Sequence, residues 1–145
     1  MASWYIIGSL KNPQIPEIGN AIRNLGHEAF DDWWGAGHEA DDYWQKYENV
    51  RGRHYREALA GHAAQTIFNF DKRHLDRCDG AVLVLPAGKS GHLEFGYTVG
   101  RGKPGFIPFD KVPERYDVMY NFATGVFFNL EELTHELGNQ GSPPK

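Results

Sequence analysis

Between Leu83 and Tyr97 the chain reads Leu-Val-Leu-Pro-Ala-Gly-Lys-Ser-Gly-His-Leu-Glu-Phe-Gly-Tyr, and this stretch concentrates groups that could do chemistry. Its apolar start predicts a buried strand from Gly80 to Leu85. A glycine-rich turn follows and feeds a helix with one carboxylate, Glu94, in its first turn. In an open α/β sheet, ligands bind outside the carboxyl ends of the strands, where such turns lie. Ser90 is the expected N-cap, which would aim the N–H groups of Gly91, His92 and Leu93 at a bound anion or hydroxyl. Glu94 falls four residues after Ser90 rather than three, so the reciprocal capping box does not apply to it. A helix macrodipole by itself favours a first-turn acid by about 0.3–1 kcal/mol. Three features favour a site over that local explanation. Gly88 and Gly91 open the backbone to close approach by a ligand. Gly96 and Gly100 are expected to seat the helix tightly on the sheet. The strand that precedes it is the most apolar in the chain.

Other groupings carry less. His38, Asp41 and Asp42 fall short of the three or four convergent ligands that a metal needs, and read as a solvated face; no metal is expected. Ser90 and His92 with Asp79 make a poor hydrolase triad, because the Gly-x-Ser-x-Gly elbow is absent. Cys78 reads as a buried, inert thiol. The aromatics Trp33, Trp34, Tyr43, Trp44 and Tyr47 form either a satellite core or a stacking wall for a planar ligand.

Positioning such a site requires a scaffold, and the chain alternates strand and helix. Trp4 to Gly8 is a short apolar run of the kind buried on both faces. A helix is expected from Pro16 to Leu25, stopped by Gly26, and a second strand from His27 to Phe30. The stretch from Gly35 to Arg77 is long, polar and without a strand. Asp41 to Tyr47 and Tyr55 to Phe70 read as helices, with a break at Arg51–Gly52–Arg53. The third strand is followed by strands from Gly105 to Phe109 and Gly125 to Asn129, then a helix from Leu130 to Leu137. The pattern predicts a flavodoxin-like three-layer α/β fold, a five-stranded parallel sheet in order 2-1-3-4-5 with helices on both faces. Residues 1–137 are expected to form one domain, and 138–145 a flexible tail. The crevice would collect Gly8–Ser9–Leu10, Asp31–Asp32–Trp33–Trp34, Pro86–Glu94 and Phe109–Asp110.

Composition bounds the function. A chain of 145 residues, 41% hydrophobic, is enough for one globular core. A net charge of −4 with no basic block argues against a nucleic-acid polymer as partner. The single cysteine cannot form an intrachain disulfide and fits a reducing compartment. With no apolar run of about 18 residues and no signal-peptide order at the N-terminus, no membrane partner and a cytoplasmic location are expected. Neither Gly-x-Gly-x-x-Gly after strand 1 nor a P-loop motif occurs, and no cofactor is expected.

Tyr5–Ile6–Ile7–Gly8–Ser9–Leu10, the acidic Asp71 ahead of strand 3, and Gly88 to Tyr97 together resemble the nucleoside 2-deoxyribosyltransferase superfamily, which includes the 2′-deoxynucleoside 5′-phosphate N-hydrolases. The resemblance spans about Tyr5 to Leu137, and Ser-Gly-His-Leu-Glu-Phe-Gly-Tyr is its specific part. It implies a flavodoxin-like homodimer or higher homo-oligomer that cleaves the N-glycosidic bond of small-molecule (deoxy)nucleosides or nucleotides. It implies Glu94 as nucleophile, Asp71 as the acid near base and sugar, and Tyr5 as the residue orienting the nucleophile. Gly8, Ser9 and Ser90 match substrate-contacting turns, and Gly88 and Gly91, which open the backbone there, are expected to contact the substrate beside them. Asn121 is the counterpart of an asparagine that the partner supplies in some transferases. Asp32 stands in reserve as the acid, and Trp33 and Trp34 as a wall for the base. The long insert around Trp33–Tyr55 has no match, and the serine that binds phosphate in the N-hydrolases lies further upstream of the glutamate than Ser90. The chemistry agrees with the residue types, since a carboxylate below C1′ can capture an oxocarbenium-like sugar. The sugar can then pass to a second base or to water. A nucleotide-binding sensor without turnover and a flavin electron carrier are the rival classes.

Overall fold

The computed structural model describes residues 1–9, 11–32 and 40–140. In chain order its elements are β1 (Ser3–Ile7), α1 (Gln14–Asn24), β2 (Glu28–Phe30), α2 (Ala40–Arg51), α3 (Tyr55–Leu59), α4 (His62–Arg77), β3 (Gly80–Leu83), α5 (Lys89–Gly100), β4 (Gly105–Pro108), a 3-10 turn (Val118–Phe122), β5 (Gly125–Phe127) and α6 (Leu130–Gln140). They fall into two compact units, Met1–Asp31 with the residues from Leu75 onward, and Asp32–His74.

The first unit holds one all-parallel sheet in the order β2-β1-β3-β4-β5, the order expected from the sequence. The strands β1, β3 and β4 are short apolar runs, buried along their whole length, as parallel strands covered on both faces must be. Register brings Trp4 beside Gly80, Ile6 beside Val82, and Val82 beside Phe106. Successive side chains point to opposite faces. On one face the ring of Trp4 packs on Phe106 (5.6 Å) and edge-on to His27 (6.4 Å), and Phe106 stacks on Phe127 (5.6 Å). His27 takes the N–H of Ala2 on Nδ1 (3.0 Å), so its Nε2 carries the proton and donates to the carbonyl of Leu137 in α6 (2.8 Å). This buried histidine therefore ties the entry of β2 to the last core residue of α6. The other face carries Tyr5, Ile7, Leu83 and Ile107, and α5 lies against it.

Close approach of α5 to the sheet needs glycines, but not the expected ones. A Cβ at Gly91 would meet Ile7 Cγ2 at 3.0 Å, and one at Gly105 would meet Val99 and Phe95 of α5 at 2.6 and 2.7 Å. Gly96 and Gly100 have nothing within 4 Å, because they lie on the outer side of the helix. Gly26 ends α1 as expected, at φ +88°. The start of β3 is fixed by Asp79, whose carboxylate accepts from the Ser3 N–H (2.8 Å). The end of α4 is fixed by Lys103, whose ammonium donates to the carbonyls of Asp76 (2.8 Å) and Cys78 (2.7 Å). Helix α6 is capped by Asn129, which accepts from the Glu132 N–H (2.8 Å), while Glu132 accepts from the Phe128 N–H (3.1 Å). It runs to Gln140, so residues 138–140 are helical where a flexible tail was expected. The rest of that tail lies outside the described residues.

The second unit is helical. The helix expected from Tyr55 to Phe70 is two helices, α3 and α4, parted at Ala60–Gly61, where the Arg53 guanidinium lies against Gly61 and leaves no room for a side chain. The break at Gly52 (φ +75°) is as expected. Around it, Arg53 holds the buried Glu48 carboxylate through two hydrogen bonds (2.5 and 3.0 Å), and this pairing keeps the Glu48 carboxyl below its usual range. No helix among the described residues is long and apolar enough to cross a membrane.

Cys78 is 2% exposed, and burial pushes its thiol up to about 11. The thiolate is the reactive species, so at pH 8 only about one molecule in a thousand is reactive at any moment. A thiol reagent at that pH is expected to leave the native protein unlabelled and to label it fully in denaturant. Complete labelling of the native chain within minutes would contradict the buried placement.

Candidate active site

Helix α5 begins earlier than its sequence suggests. Gly88, in extended conformation (φ −84°, ψ −162°), is the N-cap, and no side chain caps the helix. The reason lies in its carbonyl, which accepts both the His92 N–H (3.2 Å) and the His92 ring Nδ1–H (2.9 Å). Ser90 is therefore inside the helix rather than at its cap. The N–H groups without a partner inside the helix are those of Lys89, Ser90 and Gly91, in place of Gly91, His92 and Leu93. Glu94 moves with this shift into the second turn. The macrodipole falls off within the first turn, so the local explanation for an acid at this position is weaker than the sequence suggested.

At about 100° per residue, α5 presents three sides within the first unit. Gly91, Phe95 and Thr98 are buried against the sheet. Glu94, half-buried, lies on one flank with Ser90, Tyr97 and Arg101. That flank is held by Asp76, which accepts from the Tyr97 hydroxyl (2.5 Å) and pairs with Arg101. The Glu94 backbone is held as well, its carbonyl accepting from Thr98 Oγ1 (2.9 Å). His92 lies on the opposite flank. Its Nε2 is 3.1 Å from the Tyr120 hydroxyl, and the two rings stack at 5.9 Å.

Tyr5 is 2% exposed, in the middle of β1, on the sheet face that carries α5, with its ring against Phe30 (5.3 Å). Gly8 ends the strand where a Cβ would come within 2.6 Å of Ile15 Cδ1 and 3.1 Å of the Val84 carbonyl, so its smallness serves packing as well as access. Ser9 is exposed, with its hydroxyl accepting from the Lys11 N–H (3.3 Å). Asp31 is buried, its carboxylate accepting from both terminal nitrogens of Arg23 (2.8 and 3.2 Å). Gly8 and Ser9 follow the carboxyl end of β1, Asp31 follows that of β2, and Gly88, Ser90, Gly91 and Glu94 follow that of β3, whereas Tyr5 lies in mid-strand.

Asn121 lies in the 3-10 turn that follows β4, exposed, with its amide donating to the Val118 carbonyl (2.9 Å). Since its neighbour Tyr120 meets His92, the turn stands on the flank of α5 opposite that of Glu94. A cavity of about 330 Å³ opens beside it, lined by Phe109, Tyr116, Asp117, Tyr120, Asn121 and Phe128 among others. The surface around it is apolar and open, with Tyr116 77%, Val118 74% and Phe122 67% exposed. Burial, with Asp117 nearby, pushes the Tyr120 phenol above its ordinary value.

Asp71 lies ahead of β3 within α4, one residue past the helix end expected at Phe70, and belongs to the second unit, as does the exposed Asp32 at that unit's first position. Tyr43 and Tyr47 are exposed on α2, beneath Lys46 and Arg51 respectively. Trp33, Trp34 and His38 lie outside the described residues. Among the described residues no group of three or more His, Cys, Asp or Glu could hold a metal ion. The contact that sequence reasoning missed is His92 with Tyr120. Its signal was faint: a histidine four residues after a glycine that could cap the helix, and an aromatic-rich loop 28 residues on.

No protein-family model matches the chain, and no curated protein matches its sequence. Solved structures do. A conserved protein from Enterococcus faecalis V583 is 14% identical, with a TM-score of 0.66 over 97% of this chain and 99% of that one. A 2-deoxyribosyltransferase from Bacillus psychrosaccharolyticus is 15% identical, with a TM-score of 0.61 over 92% and 90%. The CMP N-glycosidase of Clostridium botulinum is 12% identical, with a TM-score of 0.55 over 93% and 97%. At these identities the likeness is one of fold: the chain folds as the 2-deoxyribosyltransferase and the CMP N-glycosidase do, the fold implied by its resemblance to the nucleoside 2-deoxyribosyltransferase superfamily.

Proposed function

We propose that the chain cleaves the N-glycosidic bond of a (2′-deoxy)nucleoside, with Glu94 as nucleophile, and passes the deoxyribosyl group to another base. One observation carries this reading. The Ser90–Tyr97 segment sets a half-buried carboxylate on the helix after the central strand, in a fold shared with a 2-deoxyribosyltransferase. In the first half-reaction a Glu94 oxygen bonds to C1′ as the C1′–N bond breaks, and the electron pair leaves with the base. The base takes a proton from an acid, with Asp71 as the candidate and Asp32 in reserve. In the second half-reaction a nitrogen of the incoming base attacks C1′, the Glu94 carboxylate is released, and the surplus proton returns to the acid. Tyr5 orients the carboxylate, while Gly8, Ser9, Gly88, Ser90 and Gly91 contact the substrate. Trp33 and Trp34 form the wall for the base. The place of Asn121, across α5 from Glu94, supports its serving the site of a second copy in a homodimer.

The likeness to a CMP N-glycosidase supports a second reading, in which the substrate is a nucleoside 5′-monophosphate and water takes the place of the acceptor base. One experiment decides between them. The protein is incubated with a panel of deoxynucleosides and their 5′-monophosphates, with and without a second base, and the products are separated by chromatography. Exchange of bases is the expected result. Release of free base from monophosphates alone would establish the second reading, and no release from any substrate would refute both.

A further inference from the structure

The 3-10 turn that carries Asn121 is secured from inside by one side chain. Val118, Met119 and Phe122 point outward, at 74%, 59% and 67% exposure, whereas Tyr120 turns in. Its ring meets Phe109 edge-on at the end of β4 (5.9 Å), and Phe109 stacks on Phe128 just past β5 (6.1 Å). Its hydroxyl reaches His92 Nε2 at 3.1 Å. The protons of this contact follow from the other end of the imidazole. Gly88 offers a carbonyl, which can only accept, so Nδ1 carries the proton. In the neutral ring Nε2 is then an acceptor, and the Tyr120 hydroxyl donates to it. A single relay thus runs from the N-cap of the Glu94 helix, through an imidazole, to the turn bearing Asn121.

We infer that His92 and Tyr120 are a positioning pair, which fixes the Asn121 turn and the wall of its cavity against the N-terminus of α5. The inference rests on the proposed function for its consequence in catalysis, and on the hydrogen-bond geometry alone for the pair itself. Neither residue touches the reacting atoms. Without the bond the turn keeps its local ties, Asp117 accepting from the Met119 N–H (2.9 Å) and the Tyr120 carbonyl from the Ala123 N–H (3.0 Å), but loses its bond to α5.

The test uses Tyr120→Phe, His92→Phe and the double variant, with ring packing kept in each. In the parent, nitrogen NMR of the imidazole is expected to show the proton on Nδ1, and Tyr120→Phe to shift the Nε2 resonance. Each single variant should raise KM for the nucleoside about three- to tenfold, the worth of one hydrogen bond, with kcat nearly unchanged and Tm lowered by about 4 °C at most. The double variant should be no worse than either single one, as for two residues acting as a unit. A proton on Nε2 in the parent, an Nε2 signal indifferent to Tyr120→Phe, or additive losses in the double variant would overturn the pair. Parental KM in both single variants would also overturn its role in positioning. Failure of the proposed function looks different: the parent itself releases no base, while the imidazole spectrum still reports the pair.

Discussion

Replacing Glu94 with glutamine is expected to lower kcat by about a thousandfold or more, with nucleoside binding retained. Glutamine keeps the reach and shape of the side chain but cannot form the ester to C1′ that divides the reaction into two steps. Binding survives because the contacts to base and sugar belong to other residues. The fold should survive as well. Glu94 stands in the second turn of α5, beyond the reach of most of the helix dipole, and glutamine retains its hydrogen-bonding reach. With a slow 2′-fluoro substrate, the parent should accumulate a sugar adduct at Glu94, detected by mass spectrometry of the peptide that contains it. A glutamine variant turning over at the parental rate would remove the mechanism, and an adduct on another carboxylate would reassign the nucleophile.

The largest effect expected on stability comes from Phe106→Ala. Phe106 is 1% exposed and lies between Trp4 of β1 and Phe127 of β5, so its ring links β4 to side chains on either side of it across the α6 face of the sheet. Removing such a ring costs about 3–5 kcal/mol, the lost transfer energy plus the cavity left behind. Against a total stability of about 5–15 kcal/mol, that is enough to lower the urea midpoint sharply or to unfold the chain at 37 °C. Phe122→Ala supplies the contrast, since its ring is 67% exposed and should change stability by less than about 0.5 kcal/mol. Equal midpoints for the two variants would show that the core does not centre on the Trp4–Phe106–Phe127 stack.

These expectations draw on two kinds of information. The sheet and its order were legible in the chain, because a parallel strand buried on both faces must be an unbroken apolar run. Trp4–Ile7, Ala81–Val84 and Phe106–Ile107 are such runs, and the helical periods between them leave few topologies. Gly26 and Gly52 were legible as helix stops because a positive φ is a property of the residue itself. The segment around Glu94 stood out for its residue types.

What the tertiary structure alone decided depends on groups distant in sequence meeting in space. Gly91 and Gly105 are the tight glycines, and Gly96 and Gly100 are not, because closeness belongs to two facing surfaces. The helix at Tyr55 breaks at Ala60–Gly61, where the Arg53 guanidinium, held by Glu48, lies against Gly61. The cap of α5 falls on Gly88 rather than Ser90 because the His92 ring adds its proton to the carbonyl that the backbone already uses. That ring is held in turn by Tyr120, 28 residues away. A local rule ranks Ser90 above Gly88 as a cap, and the rule was outweighed by a hydrogen bond whose other end is set by how β4 and β5 pack.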